Sequence, residues 1–157
     1  MRGFFTVLQD MWRSIRAIAW TVRWAVIGIF VIWRDPSRGR HVLGHIGSDN
    51  WSRGLLEIVG SPGKFTPDKV LPSKAIYVAN HSSYFDIPTA FCAVPHDFVF
   101  LSKWEVRTIP LIGYLNVKAG TVFVKRGDLD SSNEAIKGLH RVLNENRGVL
   151  VFPEGSR

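Results

Sequence analysis

Short apolar runs alternate with stretches of helical spacing through the second half of this 157-residue chain. Four of the apolar runs predict strands, over residues 74–79, 98–102, 121–125 and 149–152. The segments between them predict helices, over 86–94, within 104–118 and from Ser131 onwards. Short apolar strands that alternate with helices are typical of buried, largely parallel sheets. The fold class predicted is therefore α/β, a mostly parallel or mixed sheet flanked by helices.

Three local signals mark where the predicted helices begin and end. Pro88 falls in the first turn of the helix over 86–94, where proline is tolerated. Ser131 and Glu134 have the form of a capping box, which predicts that the next helix begins there. Gly148 follows as a stop signal before the last strand.

The N-terminal segment, residues 4–33, is apolar and punctuated by arginine. Its longest uncharged piece is about half the length that a bilayer span needs. At about 100° per residue, the arginines fall within an arc of roughly 80° on a helical wheel; they are Arg2, Arg13, Arg16, Arg23 and Arg34. This stripe beside a broad apolar surface rich in tryptophan favours a helix in the headgroup plane, or one dipping into the bilayer. A transmembrane span and a buried core helix remain open as alternatives.

The chain divides by composition into three predicted regions. Residues 1–50 form a membrane-anchoring helical region, and the Gly- and Pro-rich residues 51–72 connect it to an α/β domain over 73–157. Three arginines flank the apolar end of the anchor: Arg34, Arg38 and Arg40. By the positive-inside tendency, this flank predicts membrane association at the cytoplasmic face.

The net charge of +7 predicts an acidic partner. An anionic membrane surface, a phosphate-bearing substrate and nucleic acid are the candidates. Nucleic acid is disfavoured because part of the charge lies on an apolar helix and no nucleic-acid motif occurs. The single cysteine, Cys92, excludes an internal disulfide and is predicted to be a core thiol. His41 and His45 lack the further ligands of a metal site, so no metal is expected.

Polar residues follow three of the predicted strands. These are Asn80 and His81, then Lys125 and Arg126, then residues 153–157 with Glu154 and Arg157. Because ligands of open α/β sheets bind beyond the carboxyl ends of the strands, these groups are expected to converge on one pocket.

His81 and Asp86 are the strongest candidates for chemistry. With His81 in the turn and Asp86 at the helix start, the carboxylate can hold one ring nitrogen and leave the other to take a proton. The alternative is that Asp86 only caps the helix. Likewise, Lys125 and Arg126 could form a solvated strand end. Ser82 and Ser83 are disfavoured as nucleophiles because no G-x-S-x-G elbow is present.

Three blocks carry a family resemblance. Residues 80–86, Asn-His-Ser-Ser-Tyr-Phe-Asp, resemble an N-H-x4-D signature, and residues 120–126, Gly-Thr-Val-Phe-Val-Lys-Arg, resemble G-x-x-F-x-x-R. Residues 152–157, Phe-Pro-Glu-Gly-Ser-Arg, resemble F-P-E-G-T-R with Ser156 in place of threonine. In this order and spacing, the blocks resemble those of the glycerolipid acyltransferases, the 1-acylglycerol-3-phosphate acyltransferase family.

The resemblance implies roles for individual residues. His81 would be the general base and Asp86 its orienting partner, while the role of Lys125 stays open. The substrate-binding residues implied are Arg126, Glu154, Gly155, Ser156 and Arg157.

The resemblance also implies a reaction. A fatty acyl group would pass from acyl-CoA or acyl carrier protein, as co-substrate and with no cofactor, to a hydroxyl of a lysophosphatidic acid-type membrane lipid in phospholipid biosynthesis. Family members continue beyond the third block, so a C-terminally truncated chain is expected. The alternative is a catalytically inactive, lipid-binding membrane protein that uses the basic amphipathic N-terminus. Neither implies an oligomeric state.

Overall fold

The structure, a computed structural model, describes residues 3–63 and 70–154, without the side chains of Phe4, His45, Ser48 and Asp49. Six α-helices occur there: α1 (Phe4–Arg34), α2 (Val42–Ile46), α3 (Ser52–Ile58), α4 (Asp86–Ala93), α5 (Ile112–Ala119) and α6 (Leu129–Asn144). The strands are β1 (Ile76–Val78), β2 (Phe98–Lys103), β3 (Val122–Val124) and β4 (Gly148–Val151). Short 3₁₀ turns cover Pro36–His41 and Trp104–Thr108, and a π-turn covers Gly47–Trp51.

The four strands form one parallel sheet in the order β1-β4-β2-β3. Leu150 of β4 pairs with Tyr77 of β1 on one side and with Phe100 of β2 on the other. The apolar run predicted as the last strand is thus a central strand, buried on both faces. The predicted α/β class with a parallel sheet flanked by helices is confirmed.

The two faces of the sheet follow from alternation along β2. Phe98 and Phe100 point to one face and pack against Phe91 of α4. Val99, between them, points to the other face, where Val142 of α6 closes a second core. Successive side chains of a strand alternate between faces, so a single apolar strand supplies both cores.

Helix α6 begins earlier than the predicted capping box. Asp128 is the N-cap, and its carboxylate accepts a hydrogen bond from the Ser131 backbone N–H at 2.9 Å. The Ser131 hydroxyl instead accepts a hydrogen bond from the Lys125 backbone N–H at 2.8 Å. The prediction that Ser131 caps the helix is wrong, because Asp128, an equally good cap, stands one turn earlier. Cys92 is also only half-buried on α4, not a core thiol.

Helix α1 has three faces. Ala25, Gly28 and Ile32 lie within about 60° of one another on the helical wheel and are buried. A second face, about 100° wide, exposes large apolar side chains: Met11, Ile15, Val22, Val26, Phe30 and Trp33. The arginine stripe lies between these two faces and is exposed, although its first member, Arg2, lies outside the described residues. By length and composition alone, α1 is also long and apolar enough to cross a membrane.

An ion-pair network around the buried Arg147 joins the turn after α1 to the amino edge of the sheet. Arg147, only 2% exposed, donates hydrogen bonds to Asp97 at 2.9 Å and to the Ala119 carbonyl at 2.8 Å. The Asp97 carboxylate also contacts the His41 ring at 2.5 Å. The network thereby joins the 3₁₀ turn after α1 to the chain segments that enter β2 and β4.

Candidate active site

The His81–Asp86 pair lies in the loop between β1 and α4. The chain leaves the sheet after Ala79, whose N–H still donates to the Val151 carbonyl at 3.2 Å. The His81 ring then meets Asp86, with 2.9 Å between Nδ1 and Oδ2. The same carboxylate oxygen accepts hydrogen bonds from the backbone N–H groups of Ser82 at 2.7 Å and Ser83 at 2.8 Å. The loop is therefore folded around the Asp86 carboxylate.

Asp86 is not the helix cap. Phe85 occupies the N-cap position, and Asp86 is the first residue of α4. Its carboxylate binds the preceding loop rather than the first turn of the helix, and its negative charge at this end of α4 complements the helix dipole. The alternative in which Asp86 only caps the helix is therefore wrong.

The ionised Asp86 carboxylate fixes the tautomer of a neutral His81 ring. Burial by itself raises the Asp86 pKa, but hydrogen bonds from Ser83, His81 and Ser82 outweigh it and hold the pKa below its usual value of 3.8. An ionised carboxylate only accepts hydrogen bonds, so His81 must donate from Nδ1. Nε2 is then the nitrogen with the free lone pair, and within the described ranges no group occupies it.

The ring of His81 is held by packing as well. It stacks on Phe152 with ring centroids 4.3 Å apart and 18° between the planes, and its side chain is 18% exposed. Phe152 in turn stacks on Phe100 at 6.0 Å. The imidazole is thus fixed against the end of β4 but open to solvent on one side.

Glu154 also contacts the histidine loop. The His81 backbone N–H donates a hydrogen bond to Glu154 Oε2 at 3.1 Å. This contact arises because β1 and β4 are neighbours, which brings the first and third sequence blocks together. The substrate-binding role of Glu154 stays a prediction, as do those of Gly155, Ser156 and Arg157, which lie outside the described residues.

The basic strand end lies at the same edge of the sheet but does not touch the histidine. Lys125 and Arg126 follow β3 and are exposed. Strands β4 and β2 separate β3 from β1, so three strand spacings, about 14 Å, divide Arg126 from His81. The Arg126 guanidinium makes no hydrogen bond or ion pair in the part of the chain that the structure describes.

Lys103 is a further cation at this edge, and sequence reasoning missed it. It ends β2 and pairs in register with Val124, one residue before Lys125. The rule that selected the other strand ends could have found it, but the predicted strand stopped at Ser102. Three cations, Lys103, Lys125 and Arg126, therefore lie at the carboxyl ends of the neighbouring strands β2 and β3, two and three strand positions from β1 and the His81 loop.

The described residues give little support for a serine nucleophile or a bound metal ion at this site. The Ser83 hydroxyl accepts a hydrogen bond from the Phe85 backbone N–H at 3.1 Å, so it is committed to the turn. Within residues 3–63 and 70–154, no group of three or more His, Cys, Asp or Glu side chains could hold a metal ion.

The chain is thus a parallel α/β protein that carries a carboxylate-oriented histidine and several cations at the carboxyl edge of its sheet. The family model described as Acyltransferase matches residues 64–157. The chain therefore belongs to the acyltransferase family, within which its relatives are glycerolipid acyltransferases.

Three curated relatives illustrate the similarity. The chain is 45% identical over 84 residues to the lyso-ornithine lipid O-acyltransferase of Pseudomonas aeruginosa, covering 52% of the chain and 30% of that protein. It is 30% identical over 140 residues to the 1-acyl-sn-glycerol-3-phosphate acyltransferase of Cocos nucifera, covering 87% of the chain and 44% of that protein. A chloroplastic 1-acyl-sn-glycerol-3-phosphate acyltransferase of Arabidopsis thaliana is 38% identical over 90 residues, covering 55% of the chain and 25% of that protein.

The chain thus spans less than half the length of each of these three relatives. No solved structure matches it significantly.

Proposed function

We propose that this chain carries the general-base site of a membrane-associated acyltransferase. In the proposed reaction a fatty acyl group moves from a thioester, acyl-CoA or acyl carrier protein, to a hydroxyl of a lysophosphatidic acid-type lipid, giving phosphatidic acid for phospholipid biosynthesis. One observation carries the proposal: Asp86 engages His81 through Nδ1 at 2.9 Å, which leaves Nε2 with the lone pair that a general base needs.

The proposed reaction needs no reactant other than the acceptor and the thioester. His81 Nε2 takes the proton of the acceptor hydroxyl as its oxygen attacks the thioester carbonyl carbon. Asp86 stabilises the imidazolium that forms. The tetrahedral intermediate collapses with cleavage of the C–S bond, and the departing thiolate receives the proton from Nε2. The products are the ester and the free thiol.

The cations at the sheet edge support an anionic acceptor. Lys103, Lys125 and Arg126 would bind its phosphate by charge-assisted hydrogen bonds. Arg126 and His81 follow strands about 14 Å apart, so the long side chains of these cations would reach inward to a phosphate that lies only four bonds from the reacting hydroxyl. The Cocos nucifera and Arabidopsis thaliana relatives are named for such a phosphate acceptor.

A second acceptor has a specific observation in its favour. The Pseudomonas aeruginosa relative, 45% identical over 84 residues, is named for a lyso-ornithine lipid. The same His81–Asp86 pair would serve either hydroxyl, so the acceptors differ only in the headgroup that the cations bind.

The three faces of α1 support an interfacial position at the cytoplasmic face of a membrane. A helix lying in the headgroup plane would bury Val26 and Phe30 among the acyl chains, hold the arginine stripe at the phosphates and keep the third face, with Ala25 and Ile32, on the protein. In a transmembrane orientation, Arg23 would lie within the hydrocarbon, where arginine is costly. Arg34, Arg38 and Arg40 support the cytoplasmic side.

The test is a mass-spectrometric assay of the intact protein in vesicles. Lysophosphatidic acid and lyso-ornithine lipid are offered separately as acceptors, with acyl-CoA or acyl carrier protein thioester as donor. We expect phosphatidic acid as the main product. Acylated ornithine lipid instead would favour the second acceptor, and vesicle binding with no acyl transfer from any donor would favour the inactive lipid-binding protein.

A further inference from the structure

A tight corner follows β2 and leads into α5; it comprises residues 104–118. Leu111 adopts φ 63° and ψ −55°, and the Ile112 N–H donates to the Pro110 carbonyl at 2.6 Å. These values describe a γ-turn of the rare positive-φ form, which is strained for a residue with a side chain. Strain of this kind persists only where the surrounding structure enforces it, and it concentrates at functional surfaces.

The surrounding structure does enforce this turn. The Gly113 N–H donates to the Ile109 carbonyl at 2.7 Å. A Cβ on Gly113 would lie 2.1 Å from the Arg107 carbonyl oxygen, so only glycine permits this approach of the two backbone segments. The corner is therefore a closely packed, preformed element rather than a loose loop.

Large apolar side chains are exposed along the corner, among polar ones such as Glu105 and Thr108. Between 36% and 44% of each of these five large side chains is exposed: Trp104, Ile109, Leu111, Tyr114 and Val117. The inward side of α5 is buried, where Leu115 packs against Gly28 of α1. The corner is thus continuous in space with the anchor helix through α5.

Two cations accompany the exposed aromatic rings. The Arg107 guanidinium lies 4.8 Å from the Trp104 ring centroid, and Lys118 Nζ lies 5.5 Å from that of Tyr114. Aromatic and basic side chains together are typical of protein surfaces at the boundary between headgroups and acyl chains, and their charge complements anionic lipids.

We propose that the 104–118 corner is a second membrane contact, which inserts its apolar side chains into the headgroup region of an anionic bilayer. This inference rests on the proposed membrane association through α1. The corner begins directly after Lys103 and leads through α5 to β3 and Arg126. Its insertion therefore brings the cations of the sheet edge to the level of the lipid phosphates, where an acceptor would be bound without leaving the bilayer.

Environment-sensitive labels on single cysteines test the proposal. In the intact protein with Cys92→Ala, an NBD label is placed at Ile109→Cys in the corner, at Val26→Cys on the exposed face of α1, or at Ile136→Cys. Ile136 is an exposed apolar residue of α6, on the opposite face of the sheet, and serves as the matched control. The probe surface is a vesicle of phosphatidylcholine and phosphatidylglycerol, with and without brominated acyl chains.

We expect vesicles to shift the emission of the Ile109 and Val26 labels to the blue, with quenching by brominated chains, and to leave the Ile136 label unchanged. A response at Val26 alone would overturn the corner contact while membrane association through α1 stands. No response at either would overturn both. If the emission of the Ile109 label is already blue-shifted before vesicles are added, other parts of the protein cover the corner. Equal responses at all three positions would indicate non-specific adsorption. Either result would overturn the inference.

Charge variants provide a second measurement. Arg107→Gln with Lys118→Gln should lower partitioning into anionic vesicles on the order of tenfold and leave partitioning into pure phosphatidylcholine unchanged. Lys137→Gln with Arg141→Gln removes the same charge from exposed positions of α6 and should have little effect. If both double variants lose the same amount of vesicle partitioning, the net charge of the protein explains the effect, and the proposal is contradicted.

Discussion

The carboxylate of Glu154 accepts a hydrogen bond from the backbone N–H of His81 at 3.1 Å, across 73 positions of sequence. The residue that the family resemblance assigns to substrate binding thus contacts the loop that holds the proposed base. Glu154→Ala should therefore lower kcat, about tenfold for the loss of one charge-assisted hydrogen bond, with a smaller change in acceptor KM. Steady-state kinetics with varied acceptor measures both.

Glu154→Gln is the matched variant, because its amide oxygen can still accept from the His81 N–H. It should retain most of the activity that Glu154→Ala loses. A raised acceptor KM with unchanged kcat in both variants would instead assign Glu154 to substrate binding alone.

Arg126 should act on the acceptor and not on the donor. Arg126→Ala should raise acceptor KM about tenfold, because one charge-assisted contact to the phosphate is lost, and should leave donor KM unchanged. Kinetics with each substrate varied in turn provide the measurement. Lys137→Ala, which removes an exposed cation from α6, is the control. An unchanged acceptor KM in Arg126→Ala would remove this residue from the phosphate site.

The lowered pKa of Asp86 predicts that the folded protein loses stability in acid. A carboxyl whose pKa is lower in the folded than in the unfolded state contributes stability above its usual value of 3.8, and loses it as the pH falls through the folded pKa. Chemical denaturation should show a smaller fall in unfolding free energy between about pH 6 and about pH 3 for Asp86→Asn than for the wild type. Equal falls would mean that Asp86 has the same pKa in both states.

The free energy of unfolding should depend on the ion pair between the buried Arg147 and Asp97. Asp97→Ala leaves the guanidinium with the Ala119 carbonyl and a longer contact to Glu145, and should lower the unfolding free energy by about 3 kcal/mol. Glu134→Ala breaks an exposed ion pair on α6 and should cost less than about 1 kcal/mol. Thermal unfolding measures the loss of stability in both variants. Equal losses would contradict the claim that an unpaired buried charge is more destabilising than a broken surface ion pair.

Local sequence patterns predicted the elements but not their arrangement. The apolar runs identified all four strands, because buried parallel strands are continuous apolar segments. The five-residue separation of His81 and Asp86 across a strand–helix junction made their contact possible, but it left open that Asp86 only caps the helix. The strand order could not be predicted in the same way, because no local sequence pattern specifies which strand lies next to which in the sheet. The insertion of β4 beside β1 is what joins Glu154 to His81 and separates Arg126 from both.

The role of His81 is tested most directly by the single-turnover rate of acyl transfer in the intact protein. General-base assistance is worth about 10²–10⁴ in rate, so His81→Ala should lose at least about 10²-fold while its circular dichroism spectrum stays that of the wild type. His140→Ala, an exposed histidine on α6, should transfer acyl groups at the wild-type rate. A His81→Ala protein that turns over as fast as His140→Ala would contradict the proposed mechanism.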